Sequence, residues 1–180
     1  MADEKEKWTT YLAITTVLIA VCATLSTFKG GGYSTKSLLN QTRASDNWSD
    51  YQSKSIKGYI YDLQKEKLQL ELDEMKENKI SPKIEDEYLK KITSYSDRVG
   101  KYKHEKDSLS DVAKGFENAR DESKKHSEVF GMAVIFLQVS ILLSSIAALM
   151  KKKYVWFLSL IVGAIGIFYF FDGFYLFYNV

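Results

Sequence analysis

The sequence predicts an all-α membrane protein with three transmembrane helices and a long antiparallel helical hairpin, a coiled coil, between the first and second spans. Three apolar segments are each long enough to cross a bilayer, which takes about 20 residues. Between the first two lies a highly charged region, in a chain that is nearly balanced at 25 Lys+Arg against 23 Asp+Glu. The second half of that region carries an apolar repeat of about 3.5 residues, which is typical of packed helices.

The amino-terminal part combines a polar leader, residues 1–7, with an uncharged apolar segment, residues 8–28. This apolar run is too long for the core of a cleaved signal peptide, so we expect a transmembrane helix. Small residues recur along it at steps of three and four, a spacing that lets helices approach closely in lipid: Thr9, Ala13, Thr16, Ala20, Ala23 and Thr27. Three consecutive glycines then predict a hinge at residues 29–33, because each costs about 1 kcal/mol in a helix interior.

The charged region, residues 34–128, is predicted to fold back on itself at a turn near residues 79–82. Ser81 is a good N-cap and Pro82 suits the first helical position of the second arm. We expect a hairpin seam in which Ile92 lies opposite Leu70 and Val99 opposite Leu63. The predicted seam residues are Ile60, Leu63, Leu70, Tyr88, Ile92, Tyr95, Val99, Tyr102, Leu109 and Phe116.

A second apolar stripe on the first arm, Tyr61, Leu68, Leu72 and Met75, lies off the predicted seam. A two-helix hairpin alone can bury only one seam of each arm. The stripe therefore predicts a homo-oligomer, unless it is ordinary partly exposed surface.

The carboxyl-terminal part is predicted to cross the membrane twice, at residues 129–150 and 154–178, with a turn at residues 151–153. The third span carries its own line of small residues: Ser159, Gly163, Gly166 and Gly173. Because short basic loops stay in the cytoplasm, the triple lysine of the turn predicts a cytoplasmic amino terminus. The hairpin and the carboxyl terminus would then be periplasmic.

Two stretches of the sequence resemble an uncharacterised bacterial membrane-protein family. The first is Ala44–Lys57, which reads ASDNWSDYQSKSIK; the second comprises Phe136–Gln138, Lys151–Lys153 and Gly163–Gly166. Members have one amino-terminal span, a helical middle and two carboxyl-terminal spans. The resemblance implies the same arrangement here, in a bacterial inner membrane.

The candidate sites are few. Trp48, Tyr51, Gln52, Lys54 and Lys57 mix aromatic and polar side chains, and form either a partner-binding patch or a packing site for Phe116. Two polar residues lie within predicted spans: Gln138 and Asp172. Gln138 is expected to bond a neighbouring helix. Asp172 is either functional, as intramembrane carboxylates often are, or reaches the interface from the helix end.

No pattern in the sequence predicts catalysis, a cofactor or a metal. The single cysteine, Cys22, cannot form an intrachain disulfide, and His104 and His126 would be about 33 Å apart on one helix. Balanced charge gives no electrostatic case for nucleic acid. The sequence favours a membrane-anchored, self-associating scaffold or interaction protein with the bilayer and an envelope protein as partners. The alternative is an oligomeric channel or a transporter-accessory subunit.

Overall fold

The computed structural model describes residues 2–77 and 80–177, with side chains from residue 8 onward, and contains three helices. Helix α1 spans Ala2–Glu77, α2 spans Pro82–Met150 and α3 spans Lys153–Tyr175. Each contains a segment long and apolar enough to cross a membrane. Less than a third of each apolar segment is buried by the chain itself, as suits helices that face lipid. The all-α architecture with three membrane-spanning segments is confirmed at this level.

The start and end of α2 follow the local sequence. The backbone N–H groups of Ile84 and Glu85 donate to the carbonyl oxygen of Ser81, at 3.0 and 3.1 Å. Pro82 occupies the first turn, where its missing N–H costs nothing. At the other end Lys151 adopts φ 52°, a left-handed conformation that ends the helix, and α3 begins two residues later.

The predicted hinge at residues 29–33 is wrong, because α1 continues through all three glycines. A Cβ on Gly30 would lie 3.0 Å from the Cβ of Phe130, and the hydroxyl of Ser127 donates to the Gly30 carbonyl at 3.0 Å. These contacts with α2 hold the backbone in place. Tertiary packing here overrides the low helix propensity of glycine.

The chain forms two compact units, of which the first comprises residues 1–39 and 119–180. Its core joins α1 to α2 through Ile19, Ala23, Ala133 and Leu137, with a second cluster of Trp8, Leu12 and Ala147. Helix α3 packs its small-residue line inward. A Cβ on Gly166 would approach Leu137 to 2.7 Å, and one on Gly173 would approach Phe130 to 2.8 Å.

The second unit comprises residues 40–118 and pairs part of α1 with part of α2. Its contacts between the two helices include Trp48 with Glu117, Lys54 with Glu105, Tyr61 with Tyr102, Glu71 with Tyr88 and Lys76 with Glu85. Partner numbers on α2 fall as those on α1 rise. All seven α2 residues of the predicted seam, from Tyr88 to Phe116, are partly covered.

On α1 the predicted seam is wrong. Ile60, Leu63 and Leu70 are 48%, 64% and 71% exposed. The covered line lies on the other face and includes Ala44, Trp48, Tyr51, Gly58, Tyr61, Leu68, Leu72 and Met75. Tertiary contacts give the reason: Tyr61 stacks on Tyr102 of α2 and Trp48 bonds Glu117, so this face of α1 is the one that packs against α2. A Cβ on Gly58 would sit only 3.6 Å from that of Tyr102.

Candidate interaction surfaces and membrane sites

The predicted partner patch divides between the two faces of α1. The indole N–H of Trp48 donates to a carboxylate oxygen of Glu117 at 2.9 Å, and its ring lies edge-on to Tyr51 with centroids 5.3 Å apart. These side chains pack inside the second unit, whereas Gln52 and Lys57 are exposed. The patch therefore serves largely for packing between α1 and α2.

Lys54, the remaining patch residue, forms an ion pair with Glu105 at 2.5 Å, and both side chains are about one-third exposed. Its hydrogen bond lowers the pKa of the Glu105 carboxyl, and the same bond raises the pKa of the Lys54 ammonium. The ammonium also lies over the ring of Tyr102, 5.7 Å from its centroid. The Lys54 side chain thus contacts both the Glu105 carboxylate and the Tyr102 ring of α2.

A line of large apolar side chains on α1, in the second unit, is exposed. Ile56, Ile60, Leu63 and Leu70 follow one another at the spacing of a heptad, and each is exposed. We refer to these four residues as the uncovered line. Conversely, Leu68 is partly covered and Leu72 is only 3% exposed, so the stripe predicted to drive oligomerisation is occupied within the chain.

Asp172 and Gln138, the polar residues of the predicted spans, have opposite environments. Asp172 is 1% exposed, near the end of α3, so its side chain packs within the chain. Gln138 is exposed on α2. Within residues 8–77 and 80–177 no hydrogen bond joins the Gln138 side chain to another residue, so the expected bond to a neighbouring helix is not formed within the described chain.

A buried serine cluster joins α2 to α3. The hydroxyl of Ser140 donates to the carbonyl oxygen of Ser159 at 2.6 Å, and the hydroxyls of Ser144 and Ser159 are 2.9 Å apart. Ser159 also donates to the Trp156 carbonyl at 2.7 Å. The sequence signal for this cluster is the pair Ser140 and Ser144, one turn apart on a helix in an uncharged span.

A polar and aromatic cluster joins all three helices at the opposite end of the first unit. The ring of Tyr33 stacks on that of His126 with centroids 4.4 Å apart, and Nδ1 of His126 lies 2.8 Å from the Gly173 carbonyl oxygen. Phe130 is fully buried beside Phe174, edge-on at 5.1 Å. His126 thus ties the last turn of α3 to α2.

A family model described as "Domain of unknown function (DUF4337)" matches residues 8–176. The chain belongs to this family. The match extends over nearly the whole of α1, α2 and α3, and it confirms the predicted resemblance to an uncharacterised family. The same comparisons find no matching curated protein and no matching solved structure.

Over the described part of the chain, no group of three or more His, Cys, Asp or Glu side chains could hold a metal ion. His104 is exposed, while His126 is engaged in packing. The candidate surfaces for function include the uncovered line and the exposed Gln138.

Proposed function

We propose that this protein is a membrane-anchored coiled-coil scaffold whose extramembrane arms form an antiparallel hairpin and associate with other copies of the chain. The observation that carries the proposal is the uncovered line of α1. Its four large apolar residues lie in the charged region outside the apolar segments, where they are exposed to water unless another chain covers them. We assign the protein no catalytic activity.

The antiparallel arrangement is supported by the order of contacts within the second unit. Glu117 meets Trp48 near one end, Tyr102 meets Tyr61 further along, and Glu85 meets Lys76 beside the turn. Rising numbers on one helix against falling numbers on the other are what a hairpin requires. Both aromatic and charged contacts occur along the pair, which supports this register.

Self-association is supported by the spacing and the apolar character of the uncovered line. Burying one large aliphatic side chain contributes about 1.5–3 kcal/mol, so four of them form a substantial surface. Heptad spacing fits the face of another helix better than a flat or irregular partner. A second copy supplies the same line, and a symmetric pair is the commonest oligomer.

The test replaces Leu63 and Leu70 with glutamate and measures the mass of the detergent-solubilised protein by light scattering. We expect the wild type to be an oligomer and Leu63→Glu/Leu70→Glu to be a monomer with unchanged helix content, because both side chains are already exposed. The control is Gln64→Glu/Gln69→Glu, which adds the same charge at exposed positions beside the line. A monomeric wild type, or an oligomer that survives the leucine changes, contradicts the proposal.

A channel or transporter-accessory role is the competing function, and the exposed Gln138 is the observation that favours it. In an oligomer this amide could face a shared lumen. Asp172 argues the other way, since it is buried within its own chain rather than open to a lumen. Ion flux through liposomes containing the protein, lost in Gln138→Leu, would establish the channel over the scaffold.

A further inference from the structure

We propose that the membrane-spanning part of α2 pairs with the same part of α2 in a second copy of the chain, through reciprocal hydrogen bonds between the two Gln138 amides. This inference rests on the self-association proposed above and names its contact inside the membrane. The contact surface is a line of exposed residues on α2, spaced at alternating steps of three and four. We refer to it as the membrane line: Ile135, Gln138, Leu142, Ser145 and Leu149.

The Gln138 side chain has no hydrogen-bonding partner among the residues that the structure describes. Its amide carries two donor hydrogens and one acceptor oxygen. The exposed hydroxyls of Thr24 and Ser145, in contrast, donate to carbonyl oxygens of their own helices at 2.9 and 3.0 Å. Lipid tails offer no hydrogen bond, so an unsatisfied amide in the hydrocarbon core is costly. Gln138 therefore requires a polar partner outside the described part of its own chain.

The depth of Gln138 excludes water and lipid headgroups as that partner. It lies nine residues from Val129 and twelve from Met150, the ends of an uncharged stretch. At 1.5 Å per residue these separations are about 14 and 18 Å, beyond the reach of a glutamine side chain. A second membrane-spanning helix can supply hydrogen bonds at this depth, as polar side chains between such helices do.

The membrane line lies on the side of α2 that is turned away from α1 and α3. Leu137, Ser140 and Ser144 are fully buried, Leu137 in the core with α1 and the two serines against α3. At 3.6 residues per turn, Leu142 lies about 140° around the helix from Leu137. A further helix can therefore approach the membrane line without displacing α1 or α3.

The chemistry of the line favours a second copy of the chain as the occupant. Copies inserted in one membrane share their orientation, so their α2 helices run parallel and equivalent residues lie at equal depth. Seam residues of a parallel helix pair meet their own equivalents, which places Gln138 against Gln138. Because an amide both donates and accepts, each can bond the other across a two-fold axis. Ile135 and Leu142 then pack on either side of the amide pair.

The experiment is oxidative cysteine crosslinking of the full chain in membranes of cells that express it, in a Cys22→Ser background. Leu142→Cys, one step from Gln138 on the membrane line, should form a disulfide-linked product of twice the chain mass. Ile161→Cys is the matched control, because it is equally exposed, at 62% against 63%, but lies on α3. It should remain monomeric.

Gln138→Leu tests the amide itself. Because the side chain is exposed and leucine is at home in lipid, the variant should fold as the wild type does. The rate of crosslinking at position 142 should fall about tenfold. That factor corresponds to about 1.4 kcal/mol, a magnitude measured for hydrogen bonds between membrane helices. Gln138→Asn keeps an amide on the membrane line and should retain the crosslink.

Equal crosslinking at positions 142 and 161 overturns the proposal, as does crosslinking at position 142 that Gln138→Leu leaves unchanged. A product of a mass other than twice that of the chain would show that a different protein occupies the membrane line. Ion flux through liposomes that is lost in Gln138→Leu would place the amide in a lumen instead. Leu63→Cys reports separately on the uncovered line. Its crosslinking with none at position 142 would leave the scaffold standing and remove the membrane contact, and the reverse result would remove the uncovered line as the contact.

Discussion

At the scale of single residues, the ion pair between Lys54 and Glu105 shifts the pKa values of both of its members. It joins α1 to α2 within the second unit and carries opposite pKa shifts, lowered for the acid and raised for the base. A lowered carboxyl pKa means that the folded state favours the ionised acid. The stabilisation is therefore complete above the carboxyl pKa of the unfolded chain, about 4.3, and is lost as the pH falls through the lowered value.

We expect Glu105→Gln to lower the thermal unfolding temperature at pH 7 and to lose this effect as the pH falls through the lowered pKa of Glu105, where the wild-type acid is protonated too. At the alkaline end the raised pKa of Lys54 keeps the pair charged beyond the value of about 10.4 for an unfolded lysine. Far-UV circular dichroism in detergent across the pH range measures this. Asp107→Asn, an exposed carboxylate on the same helix, is the control. A constant difference between Glu105→Gln and wild type at all pH values would contradict the prediction.

At the scale of helices, close approach in the membrane depends on the glycines of α3. Cβ atoms at Gly163 and Gly166 would come within 2.8 Å of Ser140 Oγ and 2.7 Å of Leu137 Cγ, and Leu137 is fully buried. Side-chain movement cannot relieve the second clash completely, since the backbone nitrogen of Leu137 is 3.0 Å away. Helix α3 is thus held at a distance that only glycine permits.

Gly166→Ala should therefore destabilise the protein by about 1–3 kcal/mol, the usual cost of overpacking a filled core. Thermal unfolding in detergent measures the change. Gly131→Ala, on α2 of the same unit, is the matched control, because its Cβ would meet nothing within 4 Å and it should not destabilise. Equal effects of the two substitutions would show that the packing of α3 is looser than described.

The helices were easier to predict from the sequence than the packing between them. The three apolar spans, the start of α2 at Pro82 and the α2 side of the seam follow from apolar spacing and local turn chemistry, whereas the continuity of α1 through its glycines does not. The α1 side could not be found in that way, because its covered line mixes large residues such as Trp48 and Tyr61 with small ones such as Ala44 and Gly58. Apolar spacing favoured Ile60, Leu63 and Leu70 instead, and only tertiary packing shows that they lie on the outer face. The glycine contacts and the serine cluster likewise depend on a neighbouring helix.

At the scale of the whole molecule, we expect the turn at Lys151–Lys153 to face the cytoplasm and the charged region to face the periplasm. Cysteines at Lys152 and Lys83, both exposed, can be introduced in a Cys22→Ser background and labelled on intact cells with an impermeant thiol reagent. Position 83 should react and position 152 should not. The reverse pattern would invert the orientation. Labelling after permeabilisation, when both should react, is the control.

The serine cluster has a consequence for the order in which the membrane helices assemble. Its bonds between α2 and α3 join residues 19 and 15 positions apart, whereas Trp156 bonds Thr15 of α1 across 141 positions and Ser127 bonds Gly30 across 97. Closing a long loop costs more chain entropy than closing a short one. Contacts near in sequence also form sooner. Within the first unit, α2 and α3 should therefore pair first and bond their hydroxyl groups to each other, and the α1 residues of that unit should pack onto the pair last.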